Sequence, residues 1–456
     1  MKIQAGKILL FPIDTVTREL EWQLFIALEA ARKFETTSII GHKYVITQVH
    51  KNSKNCVWLG RLSTNHGRGK IDKKIIELGN LNKTKFLYLH DEGAFYYKHN
   101  YKKSIEQIHP LETATISDNF KFLMWGKYQK NIIEKVSKSR NLNIKITTTG
   151  MPRFDLYNDT LNWWDNEQVE KIKEKYGEFV LVNTNFGNSN SNEHPAGLIT
   201  EHFLRANKIL RDKKRKHEYF ERWKKDHDDF SSFTLMLNYV IESLPSYNFL
   251  IRPHPSENSE FYRKVFGYLD NVLVLRDGDV RPWIKASKAM IHNDCTTGLE
   301  GCLAEKRVIN YKPANKNEFD ILIASEAGIS TKTPKEVVAY LQSKLGVEQS
   351  FGKQEKEKLL NIDQISTELI LNEISNNNES IDLAEVIIDH YLLRKLKRLK
   401  QKYFSYKINK KGIEIGREVR LSKINSDMVL KKVNNYNNHF NCNISPKLVE
   451  SNLIVL

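Results

Sequence analysis

Short apolar runs alternate with amphipathic stretches along the first part of the chain. Apolar runs flanked by polar residues predict buried strands, and apolar residues that recur every three or four positions predict helices. A first series of strands is predicted at 7–12, 38–47, 85–90, 120–125 and 144–147. Helices are predicted between them at 18–34 and 127–139. This alternation favours a doubly wound parallel sheet.

A second series of the same kind follows a charged stretch. Its strands are predicted at 179–183, 247–251, 272–275, 289–292 and 307–311, and its helices at 167–176, 234–244 and 298–304. Two separate α/β series in one chain predict two Rossmann-like domains with a cleft between them.

The predicted domains span 1–165 and 166–345, and a highly charged helical stretch at 201–228 reads as an insertion in the second. A Lys/Asn-rich extension covers 346–456, with a basic amphipathic helix predicted over 382–404. That helix has two interpretations, which the residues leave open. It could lie on an anionic membrane surface, or it could pack as a solvated helix on the first domain.

Composition narrows the class of protein. The 456 residues are 40% hydrophobic, which is enough for real cores and excludes wholesale disorder. Four cysteines without paired spacing exclude a disulfide scaffold and a cysteine-based zinc site. No signal peptide or long apolar run is present, so we expect a cytoplasmic protein, and peripheral contact with the cytoplasmic membrane face stays open. The formal charge of +16 leaves nucleic acid, an anionic membrane and a phosphorylated substrate open as partners.

Polar residues that directly follow a predicted strand are the candidates for chemistry, because ligands of parallel sheets bind beyond the carboxyl ends of strands. Asp91-Glu92-Gly93 is such a segment. Adjacent carboxylates suit general-base work, and a glycine permits a tight turn. The alternative is a turn that only caps a helix, and spacing alone favours that alternative.

A second strand-end segment contains Arg252, His254 and Pro255. Two prolines restrict the backbone around His254, which can donate a hydrogen bond to a phosphate while Arg252 supplies charge. A rigid loop with a surface histidine is equally compatible with the pattern.

A third segment, 293–300, closes a predicted strand and opens a helix. Its hydroxyls and free backbone N–H groups suit a phosphate. The alternative is a capping box formed by Thr296 or Thr297 with Glu300. Asn183 and Asn185 lie in a fourth strand-end loop, 183–187, which lines the cleft in one interpretation and is an ordinary loop in the other.

Several known motifs are absent. The sequence has no Gly-x-Gly-x-x-Gly, Walker A, His-Glu-x-x-His or EF-hand pattern, which argues against a dinucleotide oxidoreductase, a P-loop enzyme and a zinc hydrolase. Its basic residues are diffuse and lack an interleaved aromatic platform, so we expect no nucleic-acid partner.

The strand-end motifs together resemble the bacterial surface carbohydrate biosynthesis protein family, over about residues 1–345. The motifs that carry the resemblance are Asp91 to Gly93, Thr149 to Asp155, Val182 to Gly187, Arg252 to Glu257 and Cys295 to Gly298. More distantly, they resemble those of bacterial sialyltransferases and Kdo transferases. Those are GT-B glycosyltransferases that use CMP-activated 2-keto-3-deoxy sugars.

The resemblance implies a GT-B-like fold and a role for particular residues. Asp91 matches the general base, with Glu92 completing a catalytic pair, and His254 matches the residue that contacts the donor phosphate. The implied donor-nucleotide residues are Arg252, His254, Pro255, Asn293, Thr296, Thr297, Gly298 and Glu300. The cleft-lining candidates are Gly93, Arg153, Asn183 and Asn185. Some Kdo transferases retain stereochemistry, so inversion and retention both stay open.

The expected function is therefore transfer of a Kdo-like or sialic-type sugar from a CMP donor to a capsule, lipopolysaccharide or other surface-glycan acceptor. We expect no cofactor and no metal, because CMP is a monophosphate leaving group. A teichoic-acid-type CDP-polyol phosphotransferase and a non-catalytic RNA-binding or scaffold protein are the alternatives.

Overall fold

The structure is a computed structural model. It describes residues 2–62, 69–91, 93, 96–111, 118–192, 204–205, 209–313, 318–343, 361, 364–375, 384–389, 423–449 and 453–456.

The first domain is built on an eight-stranded sheet in which six adjacent strands are parallel. They are β2 (Lys7–Ile13), β3 (Thr36–His42), β5 (Val57–Gly60), β6 (Lys85–Leu89), β7 (Phe120–Met124) and β8 (Lys145–Thr148), in the spatial order β3-β2-β5-β6-β7-β8. After β2, the chain places β3 on one side of β2 and then crosses over to place β5 on the other side. The switch point, where ligands of such sheets bind, therefore lies between β2 and β5.

Helices cover this sheet and lead to the second domain. They are α1 (Val16–Lys33), α2 (Lys43–Lys51), α3 (Gly69–Leu81), α4 (Tyr101–Ile108), α5 (Lys127–Ser139), α6 (Pro152–Asp155) and α7 (Asn166–Tyr176). The strand predicted at 38–47 is wrong in its second half, because β3 ends at His42 and α2 follows. Val45, Ile46 and Val49 are buried on one face of α2, which is the spacing of a helix. Valine and isoleucine are β-branched and favour strands, so the sequence pattern predicted a strand here.

The second domain contains a six-stranded, fully parallel sheet. Its strands are β9 (Phe179–Asn183), β10 (Asn248–Arg252), β11 (Val272–Val274), β12 (Ala289–His292), β13 (Arg307–Tyr311) and β14 (Ile329–Thr331). Their spatial order is β11-β10-β9-β12-β13-β14, so the switch point of this sheet lies between β9 and β12. The helices are α8 (Lys213–Ser243), α9 (Ser259–Phe266), α10 (Arg281–Ala286), α11 (Thr296–Leu303) and α12 (Pro334–Gln342).

Helix α8 joins two segments that the sequence pattern separated. The predicted insertion at 201–228 and the predicted helix at 234–244 are largely parts of this one helix, which has 31 residues and begins after Asp212. The Asp212 side chain caps it by accepting the Arg215 N–H at 3.0 Å. The helix contains no glycine or proline, so nothing in its sequence interrupts it.

The C-terminal extension completes the first domain. It contributes α13 (Ser366–Ser375), β15 (Ala384–Ile387), α14 (Ser426–Phe440), β16 (Lys447–Val449) and β17 (Leu453–Val455). Strand β17 pairs antiparallel with β3. Strand β15 lies between two further short strands, β1 (Lys2–Ala5) and β4 (Ser53–Lys54), and is antiparallel to both.

The predicted basic helix over 382–404 is wrong where the structure describes it. Ala384 and Val386 are buried in strand alternation, and β15 pairs with a strand on each side, so tertiary pairing overrides the helical pattern. Residues 390–404, which carry most of the basic charge, lie outside the described residues. No helix in the ranges that the structure covers is both long and apolar enough to cross a membrane.

One hydrophobic core joins the two domains and the extension. Phe179 and Leu181, on one face of β9, belong to the same cluster as the strands of the first domain and the buried side of α14. Val180 and Val182, on the opposite face, pack with α8, α9 and α12 in a second cluster. The second sheet therefore presents one face to its own helices and the other toward the first domain.

A buried group of charges fixes the same interface. We call it the interdomain charge cluster, and it consists of Glu21, Asp165, Arg281, Lys285 and Lys432. Arg281 contacts Asp165 at 2.6 Å and Glu21 at 2.5 Å, and Lys432 contacts the same two carboxylates at 2.9 and 3.1 Å. Burial alone would raise the pKa of Asp165, but these cations hold it well below its usual range. The cluster therefore joins α1, α10 and α14 through buried ion pairs.

Candidate functional site

Asp91 directly follows β6, where the sequence placed it. Its carboxylate contacts the guanidinium of Arg18 at 2.6 Å and that of Arg61 at 3.4 Å, and the side chain is 5% exposed. Burial alone would raise the pKa of Asp91, but the two arginines hold it well below its usual range. Asp91 is therefore ionised at neutral pH and, taken by itself, is a weak base. Glu92 lies outside the described residues.

The sequence interpretation missed the partners of Asp91. Asp14 and Glu19 follow β2, and Arg61 follows β5, so the group sits at the switch point of the first sheet. Asp14 contacts Arg61 at 2.7 Å, and Arg18 contacts Glu19 at 3.1 Å. Strand-end position could have singled out Asp14, because β2 was predicted. It could not have found Arg61, because β5 was not.

Gly93 lies in a tight, buried part of the same loop. A Cβ at this position would collide with the Trp125 indole and the Gln129 amide. Tyr101 donates its hydroxyl to the Gly93 carbonyl at 3.3 Å, and Trp125 donates to the His90 carbonyl at 2.7 Å. Glycine is thus required here by close packing, and the loop that carries Asp91 is held on both sides.

In the second domain, His254 follows β10 and its ring is exposed. Its Nδ1 accepts the backbone N–H of Ser256 at 3.2 Å, which in the neutral ring places the proton on Nε2. Buried Glu257 accepts the His254 N–H at 3.0 Å and the Thr184 hydroxyl at 2.7 Å. The loop from 254 to 257, including Pro255, is therefore fixed to the loop that follows β9.

The loop after β9 packs directly on the His254 loop. A Cβ on Gly187 would collide with the side chain of Ser256, so the two loops approach as closely as they do only because residue 187 is glycine. Asn183, the last residue of β9, is 3% exposed, and neither polar atom of its amide has a hydrogen-bond partner among the residues that the structure describes. Asn185 is half-buried. A buried amide of this kind, beside the switch point, is available to a ligand.

Arg252 has a structural partner. Its guanidinium donates to the carbonyls of Asp277 and Gly278 at 2.7 and 2.5 Å and is 5.9 Å from the centre of the Trp283 ring. Burial lowers its pKa to about 10. Arg252 therefore holds the loop after β11, whereas the sequence had assigned its charge to a phosphate.

The segment after β12 forms the N-terminus of α11. Cys295 is the N-cap residue and no side chain caps this end, so the predicted capping box is wrong. Thr296 and Thr297 occupy the first two helical positions and are half-buried, and the Thr297 hydroxyl lies 3.0 Å from the Cys295 sulfur. The Gly298 N–H donates to the Cys295 carbonyl at 2.9 Å, and no side-chain oxygen of the described residues caps this helix end, as an anion site requires.

His292 and Asn293 fix the position of this turn through hydrogen bonds. His292 accepts the Cys295 N–H at 3.2 Å on Nδ1 and lies 2.8 Å from the Ala327 carbonyl on Nε2. Burial lowers its pKa to about 4, so it is neutral. A Cβ on Gly298 would collide with this ring. Asn293 donates to the Tyr311 carbonyl at 2.8 Å. Gly298 and Asn293 therefore shape the turn.

Glu300 and Arg153, predicted separately, meet across the domains. Arg153 in α6 contacts the Glu300 carboxylate at 3.2 Å, and the Tyr157 hydroxyl donates to it at 2.7 Å. Glu300 is buried. Arg153 and Glu300 therefore form a contact between α6 of the first domain and α11 of the second.

Two routes connect the Asp91 loop to the second domain. In the first, the Arg222 guanidinium lies 4.7 Å from the centre of the Tyr97 ring, and Asp226, one turn along α8, accepts from Asn188 at 2.5 Å. In the second, the Lys98 N–H donates to the Asp320 carbonyl at 2.8 Å. The Asp320 carboxylate then contacts Lys312 at 2.8 Å, and Lys312 contacts Asp294 at 3.4 Å. The loop after β6 is therefore linked to the loops after β9 and β12.

Comparisons with known proteins add similar folds. No family model and no curated sequence matches the chain. Among solved structures, the chain is similar to the wall teichoic acid polymerase TagF, with 9% identity over 82% of this chain and 88% of that one, and a TM-score of 0.47. It is similar to UDP-GlcNAc 2-epimerase from Methanocaldococcus jannaschii, with 10% identity over 81% and 99%, and a TM-score of 0.48. MnaA from S. aureus, solved with UDP, has 11% identity over 81% and 95%, and a TM-score of 0.46.

Similarity at this level carries no argument about activity. The predicted fold class is confirmed by the sheets themselves: the chain is an α/β protein with two Rossmann-like domains, each with a parallel sheet, in a GT-B-like arrangement with a C-terminal extension. The predicted relation to sialyltransferases and Kdo transferases stays a prediction.

Proposed function

We propose that this chain is a GT-B-type glycosyltransferase that moves an acidic 2-keto-3-deoxy sugar from a CMP donor to a hydroxyl of a surface glycan. The observation that carries the proposal is the pairing of two polar sites in one chain. One lies at the switch point of each parallel sheet, and contacts of residues 96–99 link the two. The acidic sugar and its CMP carrier are inferred from the motif resemblance.

The second domain supplies the donor half of the proposed reaction. The uncapped N-terminus of α11 and the Thr296 and Thr297 hydroxyls face the donor phosphate, where backbone N–H groups and the helix dipole stabilise negative charge. His254 donates from Nε2 to the same phosphate. Asn183 offers its amide to the nucleotide. No metal is required, because these donors stabilise the monophosphate that leaves.

The first domain supplies the acceptor half. The acceptor hydroxyl oxygen forms a bond to the anomeric carbon of the donor sugar, and the bond from that carbon to the phosphate oxygen breaks with its electron pair going to CMP. The hydroxyl proton passes to the carboxylate of Asp91. Peripheral contact with an anionic membrane stays a prediction, since residues 390–404 are not described.

A thermal-shift experiment on the full chain tests the donor assignment. With CMP present at about 100 times its Kd, we expect stabilisation of about 2.7 kcal/mol and a rise in Tm of a few degrees. His254→Ala should lose most of this rise. His217→Ala is the matched control, because His217 is an exposed histidine of α8, 76% exposed, that pairs only with Glu221 among the described contacts.

Each other outcome contradicts the proposal in a specific way. A rise with CDP-linked polyols and none with CMP would favour a teichoic-acid-type phosphotransferase. Salt-sensitive oligonucleotide binding without any nucleotide effect would favour a non-catalytic RNA-binding protein. If CMP stabilises the chain, release of CMP from CMP-Kdo and CMP-sialic acid in the presence of glycan acceptors then tests transfer.

A further inference from the structure

The first turn of α8 carries four cations in succession, all of them exposed. We call them the cation turn: Lys213, Lys214, Arg215 and Lys216. Among the residues that the structure describes, none of these four side chains has an ion-pair or hydrogen-bond partner. Asp212, just before them, accepts the Arg215 backbone N–H and is the one acid beside them.

Cations further along the same helix are paired with acids. Arg222 contacts Asp226 at 4.0 Å and Lys225 contacts Asp229 at 2.6 Å, each across one helical turn. Such pairs stabilise a helix, whereas like charges three or four positions apart repel each other. The positive end of the helix dipole also lies at the N-terminus, where cations are unfavourable. The cation turn therefore lacks the compensation that the rest of α8 has, and a bound polyanion would supply it.

The cation turn continues the face of α8 that lies against the first domain. Glu218 contacts His99 at 3.5 Å, in the segment 96–99 that links the two domains. Lys214 and Arg215 precede Glu218 by four and three positions, so they lie on the same helix face. They are one turn, or about 6 Å, further along the helix axis. The cations therefore border the cleft on the side of the loop after β6.

We propose that the cation turn binds an acidic glycan chain, so that the acceptor of this enzyme is itself a polyanion. The role of that chain as acceptor rests on the proposed function. A glycan that gains one carboxylate with each transferred sugar presents a series of negative charges, which is complementary to a series of cations. The end of the chain reaches the site beside Asp91 while its earlier sugars lie along the cation turn.

The surroundings of the cation turn favour a glycan over a membrane. A helix that lies in a membrane surface inserts an apolar face between the lipids. Over residues 213–223, all of which the structure describes, Phe220 is the one large apolar side chain that is exposed, at 41%. The cations also border the cleft, which is where an acceptor has to pass.

The first test measures binding of an acidic chain and needs no donor. Isothermal titration calorimetry of the full chain at low salt compares oligosialic acid with a neutral dextran oligosaccharide. We expect only oligosialic acid to bind, and added salt to weaken that binding, because the contacts are exposed. The α8 variant combines Lys213→Gln, Lys214→Gln, Arg215→Gln and Lys216→Gln. Its Kd should rise about tenfold or more, because exposed ion pairs contribute modestly one by one but four act together.

The matched control removes the same charge from scattered positions. It combines Lys51→Gln, Lys74→Gln, Lys135→Gln and Lys138→Gln, four exposed lysines of α2, α3 and α5. Glutamine is a good helix former, so both variants should fold. The control should bind oligosialic acid as the unaltered chain does.

The melting temperature of the α8 variant is a second measurement. It should be no lower than that of the unaltered chain, because the substitutions remove repulsion at the start of the helix. A clear fall in Tm would show that the fold already compensates the four cations, and it would overturn the proposal.

Three binding results would also overturn it. Equal weakening in both variants would mean that net charge alone attracts the glycan. Binding of phosphatidylglycerol vesicles through the cation turn, without binding of oligosialic acid, would indicate a membrane contact. An RNA oligonucleotide that binds through the same residues more tightly than oligosialic acid would indicate a nucleic-acid partner.

The second test is transfer to an acidic acceptor chain, followed by release of CMP. In the α8 variant, kcat/KM should fall about tenfold or more, mainly through KM, because the cations bind the chain and touch no reacting atom. If oligosialic acid binds through the cation turn but no CMP-sugar is consumed, the proposed function fails and the glycan surface stands. If the donor is consumed and the α8 variant keeps its KM for the acidic acceptor, the surface fails and the proposed function stands.

Discussion

At the scale of single residues, the site depends on close approaches that only small side chains permit. Gly187 allows the His254 loop to contact the loop after β9, and Gly298 allows the His292 ring to lie under the first turn of α11. The sequence analysis assigned Gly298 to donor binding. Its contact in the structure is with His292, so its effect on a donor acts through the shape of the turn.

A substitution at Gly298 tests this contact. Gly298→Ala should lower the free energy of unfolding by about 1–3 kcal/mol, because the added methyl group must displace the His292 ring or the helix. Chemical denaturation measures the change. Gly6→Ala is the control, since a Cβ there meets only a carbonyl oxygen at 3.8 Å and should cost well under 1 kcal/mol. Equal losses at the two positions would contradict the role given to His292.

At the scale of elements, a segment of the first domain caps a helix that lies far away in the sequence. Asp155, in the motif segment 149–155, caps the N-terminus of α13 in the C-terminal extension. Its carboxylate accepts the N–H groups of Ser366 and Thr367 at 2.9 and 2.7 Å and the Thr367 hydroxyl at 2.8 Å. Gly150, with φ of +81°, packs against the same helix end. This motif therefore attaches the extension to the first domain.

Removal of the cap should loosen that attachment. Asp155→Ala should cost about 1–2 kcal/mol of stability, because two backbone donors at the start of α13 lose their acceptor. Hydrogen exchange should increase at 366–375 before the strands of either sheet are affected. Asp159→Ala, at an exposed neighbouring aspartate, should change stability by no more than about 0.5 kcal/mol. Unchanged exchange at α13 in Asp155→Ala would refute the capping role.

At the scale of the whole molecule, the interdomain charge cluster joins three regions of the chain. Arg281 is 2% exposed and lies between Glu21 and Asp165, while Lys432 from the extension contacts both acids. Burial alone would lower the pKa of Arg281, but the neighbouring carboxylates raise it well above its usual value, so it stays charged. The cluster thus depends on all three regions being present.

Arg281→Ala should destabilise the chain by about 3–5 kcal/mol, because it leaves Glu21 and Asp165 buried with one cation fewer. Urea denaturation, followed at both domains, measures the loss. Arg263→Ala is the control, because Arg263 pairs with Glu260 on the surface and should cost no more than about 0.5 kcal/mol. A loss at Arg281 no larger than at Arg263 would show that the cluster does not hold the domains.

By itself, the sequence determined the two α/β series and most of their strands. Strands such as Phe179–Asn183, Ala289–His292 and Arg307–Tyr311 were predicted at the bounds that the structure has. Apolar runs and helical spacing are local signals, because the order of apolar and polar residues within an element indicates which of its faces is buried. Strand-end position likewise picked out Asp91, His254 and the threonines before any fold was known.

Only the tertiary structure decided which strands are neighbours and which charges meet. Ala384–Ile387 became a strand because β1 and β4 lie on either side of it, against a helical pattern in its own sequence. Arg281 and Glu21 are 260 positions apart, and Arg18 contacts Asp91 only because the segments after β2 and β6 lie at one edge of the sheet. The state of a buried charge depends on the groups packed around it, and those come from distant parts of the chain.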